Sequence, residues 1–508
     1  MDAEQNHNRL IIVSNRLPVI LKKNVYSNWE VTPGAGGLVT ALAPVLKNRG
    51  GIWIGWPGIS DGKNAGIHEA LAGVKQKFGY DLKPVSLSAK EVEYYYKGFA
   101  NEIIWPLFHD FTAYCNYKPD YWQAYKNVNF KFASEITRNL HKSDFIWIHD
   151  YHLMGVAHEL REMGLNPQIA FFLHIPFPPL DIFTKLPWRL EILNSLVQYD
   201  IIGFQTIRDR RNFIHCVKTL LKGVRISGRG QVVSMSGKDR DIRVGAFPIS
   251  IDYKEFAAAA SAKEVAEKAW YLHEDLPEQQ IILGIDRLDY TKGILERLSA
   301  YRYALRNHVD LHQKTILMQI VVPSRRKIPQ YAALKTEIEQ LVGQINGEFT
   351  QSGWVPIHYI FRNLPRAELL AYYRTAEIGL ITPLNDGMNL VAKEYCAANI
   401  DENGVLILSE FAGAASQFQK EALLVNPHDI IGIAQAIYVA SQMPHEERKR
   451  RMKRMRRTVR KFNIFWWVDS FLKAAFAKDL NDFPLMEDYV PGKQPDVSQV
   501  PYPDYMPS

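Results

Sequence analysis

Two doubly wound α/β domains, joined near residue 250, are the fold this sequence predicts. Three observations predict it. Short β-rich runs alternate with helical patterns from end to end, as in parallel sheets with crossover helices. The runs are apolar nearly throughout, as strands covered on both faces must be. With 508 residues, 47% of them hydrophobic and 23% charged, the chain exceeds what one ordinary core holds.

In order, the first-half runs are LIIVS (10–14), GIWIGW (51–56), DFIWIH (144–149), QIAFFLH (168–174) and DIIGFQ (200–205). The polar segment GRGQVVSMSGKDRD then breaks the pattern and reads as an excursion or hairpin. After FPISID (247–252) and a helix rich in Ala, Lys and Glu, a second series follows. Its runs are QIILGI (280–285), TILMQIVV (315–322), PIHYIF (356–361), AEIGLIT (376–382) and GVLILSE (404–410). The expected organisation is 1–250 and 251–460 as two Rossmann-like domains. A C-terminal helix within 461–484 is expected to pack back on the first, and a Pro-rich tail, 485–508, to be disordered or loosely draped. Two such domains facing each other enclose a cleft, and ligands of open parallel sheets collect beyond the carboxyl ends of the strands.

Several function classes recede on composition. No stretch reaches the roughly 18 to 20 apolar residues a membrane helix needs, and the start lacks a basic region followed by an apolar one, so a cytoplasmic protein without membrane partners is expected. Cys115, Cys216 and Cys396 lie far apart, without a CxxC pair. The net charge of +7 is local: Arg448 to Lys461 holds ten basic residues and no acidic one, so the rest of the chain, +7 less those ten, is near −3. Met452, Met455 and Val459 recur there at helical spacing, so a helix with one apolar stripe and a solvated cationic face is expected rather than nucleic-acid binding.

Polar groups cluster where strands end: SNRLP (14–18), HDYH (149–152), HIPFP (174–178) and DRLDYTKG (286–293). GAGG (34–37) precedes the amphipathic LVTALAPVLK, where unpaired N–H groups suit a phosphate; a plain tight turn fits equally. Arg287 and Lys292 put two cations on one loop, able to neutralise a departing diphosphate without a metal. For Arg287 a surface salt bridge is the alternative. In TPLNDGMNLVAKEY (382–395) a strand runs out at Thr382, Asp386 sits in the turn, and a helix is expected from Met388. Glu394 then lies on roughly the same face, roughly 12 Å along the axis. Two acids so spaced can grip hydroxyls at opposite ends of a long ligand; a capping Asp386 and a solvated Glu394 are the alternative. His149 and His152 are three apart but bring no further ligands, so no metal is expected. Asp239-Arg240-Asp241 reads as solvated loop.

Together these pieces resemble one family, the trehalose-6-phosphate synthases, retaining glycosyltransferases of the two-Rossmann GT-B architecture. SNRLPV, GGLVTAL, WIGWPG, IIWPLFH, WIHDYHL, FFLHIPFP, GFQT, DRLDYTKG, VPSR, INGEF, DGMNLVAKEY and LSEFAGAA carry the likeness across nearly the whole chain. The resemblance implies an acceptor-binding first domain and a nucleotide-sugar-binding second one. It implies that Gly37, Leu390 and Val391 present backbone N–H groups to the donor diphosphate, with Arg287 and Lys292 as counter-charge, and that Glu394 holds the ribose. Asp386, Gly387, Met388, Asn389 and His174 surround the donor glucose. Arg16 and Arg325 bind the acceptor phosphate, and Tyr96, Trp105 and Tyr125 line its pocket. The implied reaction moves glucose from UDP-glucose to glucose 6-phosphate, without metal or other cofactor; self-association stays open. One departure stands out: the family usually carries Arg where this chain has Asn385. LPWR (186–189) also recurs in the sister glucosylglycerol-phosphate synthases, so a glycerol 3-phosphate acceptor remains an alternative, as does a non-catalytic sugar-phosphate sensor.

Overall fold

The computed structural model describes residues 9–23, 28–34, 37–60, 66–73, 75–237, 240–274, 276, 278–324 and 328–477, with Leu480, Phe483, Asp488 and Tyr489. The chain divides into two units. The first comprises Met1–Asp252, Asn385–Leu390 and Phe462–Met486; the second comprises Tyr253–Leu384, Val391–Lys461 and Glu487–Ser508.

The first unit is built on nine strands and a separate hairpin. In chain order they are β1 (Leu10–Arg16), the hairpin β2 (Val19–Lys23) and β3 (Trp29–Pro33), β4 (Gly51–Trp56), β5 (Asp81–Pro84), β6 (Phe145–His149), β7 (Gln168–Phe172), β8 (Ile201–Phe204), β9 (Arg225–Ser227), β10 (Val232–Ser236) and β11 (Asp241–Ala246). The sheet order is β5-β4-β1-β6-β7-β8-β11-β10-β9, parallel from β5 to β11 and antiparallel beyond. The chain winds one way from β1 through β4 to β5 and the other way from β6 through β7 to β8. The switch therefore falls between β1 and β6, and a crevice beyond their carboxyl ends is where an open sheet admits a ligand.

The polar segment before the domain junction does form a hairpin, but its second arm, β11, also runs parallel to β8 and extends the main sheet. Arg240 is not loosely solvated: its Nη1 donates to Asp200 at 2.6 Å. Asp239 lies outside the described residues.

The helix Ile464–Phe476 covers one face of this sheet. Asn463 caps its start, accepting from Phe465 and Trp466 N–H. Its apolar stripe buries Trp467 and Phe471 against Trp147, the Phe471 ring stacked at 4.3 Å and 1°. Each such burial contributes about 1.5–3 kcal/mol. Arg243 of β11 donates to the carbonyls of Ala474, Ala475 and Ala477, supplying partners that the last helical turn lacks.

The second unit holds six parallel strands: β12 (Gln280–Arg287), β13 (Thr315–Val322), β14 (Ile357–Ile360), β15 (Ile378–Ile381), β16 (Val405–Ser409) and β17 (Leu423–Val425). Their order, β14-β13-β12-β15-β16-β17, puts the switch between β12 and β15. Within His445–Lys461, Met452, Met455 and Val459 are buried as the spacing predicts. Some cations of that run, however, are not solvated. Arg448 is buried and donates to Met443, Ala440 and Ser441 carbonyls, and Arg456 donates to Cys396, Ala397 and Asn399 carbonyls. Both satisfy the ends of neighbouring helices.

Of the tail expected to be disordered or loosely draped, Asp488 and Tyr489 are described, and the Tyr489 hydroxyl donates to Glu410 at 2.6 Å. The remainder lies outside the described residues. No helix among the described residues is long and apolar enough to cross a membrane.

Candidate active site

At the end of β1 the backbone is fixed from below. Trp53 donates to Ser14 Oγ (2.8 Å), Ser14 Oγ donates to the Arg16 carbonyl (2.7 Å), and Tyr95 donates to Asn15 (2.9 Å). Arg16 leaves the sheet exposed, its guanidinium 4.7 Å above the Trp56 ring. Tyr96 leans on Trp56 (5.6 Å) and stacks on His152 (5.9 Å, 16°), so a cation and three rings form one row. Tyr96 belongs to a π-helical segment, Val92–Ile104, a winding that sequence patterns do not reveal and that recurs at functional sites. Trp105 follows it, buried between His109 and Tyr151. A guanidinium beside aromatic faces suits a phosphate on a pyranose.

Tyr125 is a correction. It is 1% exposed, donates to the Tyr151 carbonyl (3.0 Å) and accepts from Met154 N–H (3.0 Å). It braces the segment after β6 from behind, its hydroxyl committed to backbone groups. Arg325 lies outside the described residues.

The parallel pairing of β6 with β7 brings together two histidines 25 positions apart: His149 Nδ1 is 3.2 Å from His174 Nε2. Gln205, buried at the end of β8, sets the proton positions. Its Oε1 accepts from Ile249 N–H (2.9 Å), so its Nε2 donates to His174 Nδ1 (3.4 Å). His174 therefore carries its proton on Nε2 and donates it to His149 Nδ1. Burial pushes His174 down to about 3 and His149 well below its ordinary value, so both rings are neutral at physiological pH. Both His174 nitrogens are thus engaged by protein.

The His174 backbone meets the Asp386 loop. A Cβ on Gly387 would stand 2.2 Å from the His174 carbonyl oxygen, so only glycine allows the loop this close. Asn389 takes φ 69° and donates from Nδ2 to Asp386 (3.2 Å). The helix consequently starts at Leu390, not at Met388. Asp386 lies off the helix and the shared-face argument with Glu394 fails, because the left-handed Asn389 interrupts the helical path. Leu390 and Val391 occupy the first turn, where N–H groups have no intrahelical partner.

Sequence reasoning named HDYH as a strand-end cluster but weighed only its histidines singly. Asp150, between them, has φ 75°, and its Oδ1 accepts from His174 N–H (3.3 Å) at the switch point. A non-glycine residue held in this region is a mark of functional constraint. Strand-end position was the only signal available beforehand. His149 and His152 do not converge: one meets His174, the other stacks on Tyr96.

In the second unit Arg287 ends β12, exposed, and makes no hydrogen bond or ion pair among the described residues. The salt-bridge alternative finds no support there. Lys292 is buried in the turn Tyr290–Lys292, which Asp289 caps by accepting from Thr291 N–H (3.1 Å). Gly293 follows at φ 63°, and a Cβ on it would stand 2.2 Å from the Thr382 carbonyl oxygen. Below the turn lies a pair the sequence did not announce: fully buried Arg297 donates to Asp286 (2.7 Å), Gln319 (3.3 Å) and Thr382 (3.2 Å). It ties the end of β12 to the residue after β15.

Glu394 is not a solvated helix charge. Burial raises its carboxyl, and Tyr373 donates to its Oε2 at 2.9 Å, fixing its orientation. Gly37 opens the helix Gly37–Arg49, and Ala35 and Gly36 lie outside the described residues. No group of His, Cys, Asp and Glu suited to a metal ion occurs among the described residues.

Known proteins share this architecture. The profile of Glycosyltransferase family 20 matches residues 8–477. The trehalose-6-phosphate synthase of Mycolicibacterium vanbaalenii is 40% identical over 474 residues, 92% of this chain and 96% of that protein. Among solved structures, a UDP-forming α,α-trehalose-phosphate synthase from Burkholderia xenovorans in complex with glucose-6-phosphate superimposes with a TM-score of 0.82. It is 35% identical and covers 92% of this chain and 100% of that one. The E. coli protein bound with UDP-2-fluoro glucose gives a TM-score of 0.82 at 36% identity, covering 92% and 99%.

Proposed function

The chain belongs to glycosyltransferase family 20, and from that premise we propose that it transfers glucose from UDP-glucose to glucose 6-phosphate, giving trehalose 6-phosphate and UDP. The observation that carries this reading is the near-full-length likeness to trehalose-6-phosphate synthases, 92% of this chain against 96% of a relative.

Each group has a part in that reaction. Arg287 and Lys292, with the N–H groups of Leu390 and Val391 and of the Gly37 turn, take up charge as the C1–O bond to the diphosphate breaks; such preorganised donors are the largest usual source of acceleration. Asp386 to Asn389 hold the glucose, with His174 fixing the backbone under Gly387. Glu394 accepts from a ribose hydroxyl. Arg16 binds the acceptor phosphate, and Tyr96 and Trp105 wall its ring. The acceptor hydroxyl attacks C1 on the face the phosphate leaves, its proton passes to the departing phosphate oxygen, and configuration is retained. No step requires a metal, so turnover should survive EDTA. The setting is the cytoplasm, where nucleotide sugars and sugar phosphates are available.

The test is product identification with UDP-glucose and either glucose 6-phosphate or glycerol 3-phosphate. Product with glucose 6-phosphate is expected. Product with glycerol 3-phosphate alone would overturn the acceptor assignment.

A further inference from the structure

A concavity lies in the first unit, beside the Asp386 loop and outside the residues assigned above. Its volume is about 280 Å³, and its wall is the segment after β7, Pro176 to Pro179, packed on the helix Ile207–Leu220. The wall is held rigid through both backbone groups of one residue. Phe177 N–H donates to Asp209 (3.1 Å), and its carbonyl accepts from Asn212 (2.9 Å). Phe108 stacks edge-on to Phe177 at 5.5 Å, completing an apolar bed with the prolines.

Unfilled hydrogen-bonding capacity faces this bed. Asn385 lines the cavity, and its Oδ1 is buried without a hydrogen-bond partner among the described residues. A buried carbonyl of that kind calls for a donor. Arg208 lines the opposite side and makes no hydrogen bond among the described residues; Arg211, three residues on and already engaged elsewhere, lines the same side. Asp110 stands exposed at the rim with φ 69°. The Asp209 carboxyl is engaged from within, accepting from Thr206 and from Phe177 N–H; Arg208 acts on it only through its charge, with no hydrogen bond between them.

The requirements converge on one ligand class. Two guanidinium groups call for an anion with several oxygens, such as phosphate. Asn385 and Asp110 call for hydroxyl donors. Proline and phenylalanine surfaces suit the C–H face of a pyranose. The volume lies just under the roughly 300–1,000 Å³ of drug-sized sites, room for a monosaccharide phosphate and too little for a nucleotide sugar. Asn385 stands where the family resemblance leads one to expect arginine, whose longer side chain would occupy this space.

We propose that this cavity is a second monosaccharide-phosphate site, separate from the acceptor site at Arg16, with Arg208 and Arg211 on the phosphate and Asn385 on a sugar hydroxyl. Because Asn385 is contiguous with Asp386, occupancy couples directly to the loop that carries the donor glucose.

The test is calorimetric titration of the full-length protein, without donor, using glucose 6-phosphate and, separately, inorganic phosphate. Two glucose 6-phosphate sites per chain are expected in the parent, and one in Arg208→Gln and in Asn385→Arg, which fills the cavity. Arg208 is half-buried at the surface, so its variant keeps the test decisive if Asn385→Arg fails to fold. In Arg16→Gln the remaining site should bind glucose 6-phosphate at least tenfold more tightly than inorganic phosphate; equal affinities would overturn the sugar-phosphate assignment. Loss of binding confined to Arg16→Gln, with the Arg208 and Asn385 variants behaving as the parent, supports the acceptor reading and overturns this one. Loss confined to the Arg208 and Asn385 variants supports this site and overturns the acceptor reading at Arg16.

Discussion

At the switch point of the first unit, polar groups hold one another. Tyr95 fixes Asn15, Gln205 and His149 fix the His174 ring, and Asn389 fixes Asp386. At the switch point of the second unit the charges divide into two kinds. Arg297 is buried and fully committed to Asp286, Gln319 and Thr382, while ten residues earlier Arg287 stands exposed without a partner among the described residues. The first arrangement fixes shape and proton position; the second keeps one cation as scaffold and leaves another exposed. Residue type alone does not separate these roles. Position relative to the sheet does.

Four substitutions break or sharpen this contrast. Arg297→Ala strands the Asp286 carboxylate in the core and should cost about 3–5 kcal/mol of stability, read from urea unfolding. Arg287→Ala should leave the unfolding midpoint unchanged while lowering kcat about 10²- to 10³-fold, the effect of losing one preorganised charge at the transition state. If it unfolds the protein instead, the two arginines are not different in kind. Gly387→Ala, forced against the His174 carbonyl, should cost about 1–3 kcal/mol and reduce turnover, since the loop must retreat.

The remaining contrast is a pH effect. His174, held near 3, is neutral in the folded state across the assay range. Below about 6.5 the unfolded chain binds a proton that the folded one refuses, so stability falls as pH drops from about 6.5 toward 3, by up to about 1.4 kcal/mol per pH unit. Glu394 in the second unit works with the opposite sign. Its raised carboxyl loses stability as pH rises above its ordinary value of 4.5. Gln205→Glu places a carboxylate beside His174 Nδ1, raises that imidazole, and should make kcat fall as pH falls through the new value. A kcat profile matching the parent's would remove the proton-fixing role of Gln205.

Much of this was legible beforehand, for identifiable reasons. Apolar runs gave β1, β4, β6, β7, β8 and β12 to β16 because buried parallel strands are apolar on both faces. β5 escaped notice as DLKP, an edge strand ending in proline, and β17 as three residues at the edge of the second sheet, where burial is incomplete and the pattern fades. Arg287, Lys292 and Asp386 stood out in the sequence because strand ends are marked by composition. His149 with His174, and Asp286 with Arg297, were not, since their meeting depends on register and on helix packing that no local pattern encodes. Asn389 misled the helix assignment for a related reason: its sequence neighbours favour a helix, and only its positive φ delays the start to Leu390.

The claim at the centre is that Arg287 serves the leaving group and nothing else. Single-turnover measurement of Arg287→Ala with UDP-glucose and glucose 6-phosphate, with and without added guanidinium ion, tests it directly. Turnover that collapses and then returns in part as guanidinium occupies the emptied position is the predicted result. Undiminished turnover in the substituted protein, or loss accompanied by unfolding, would contradict it.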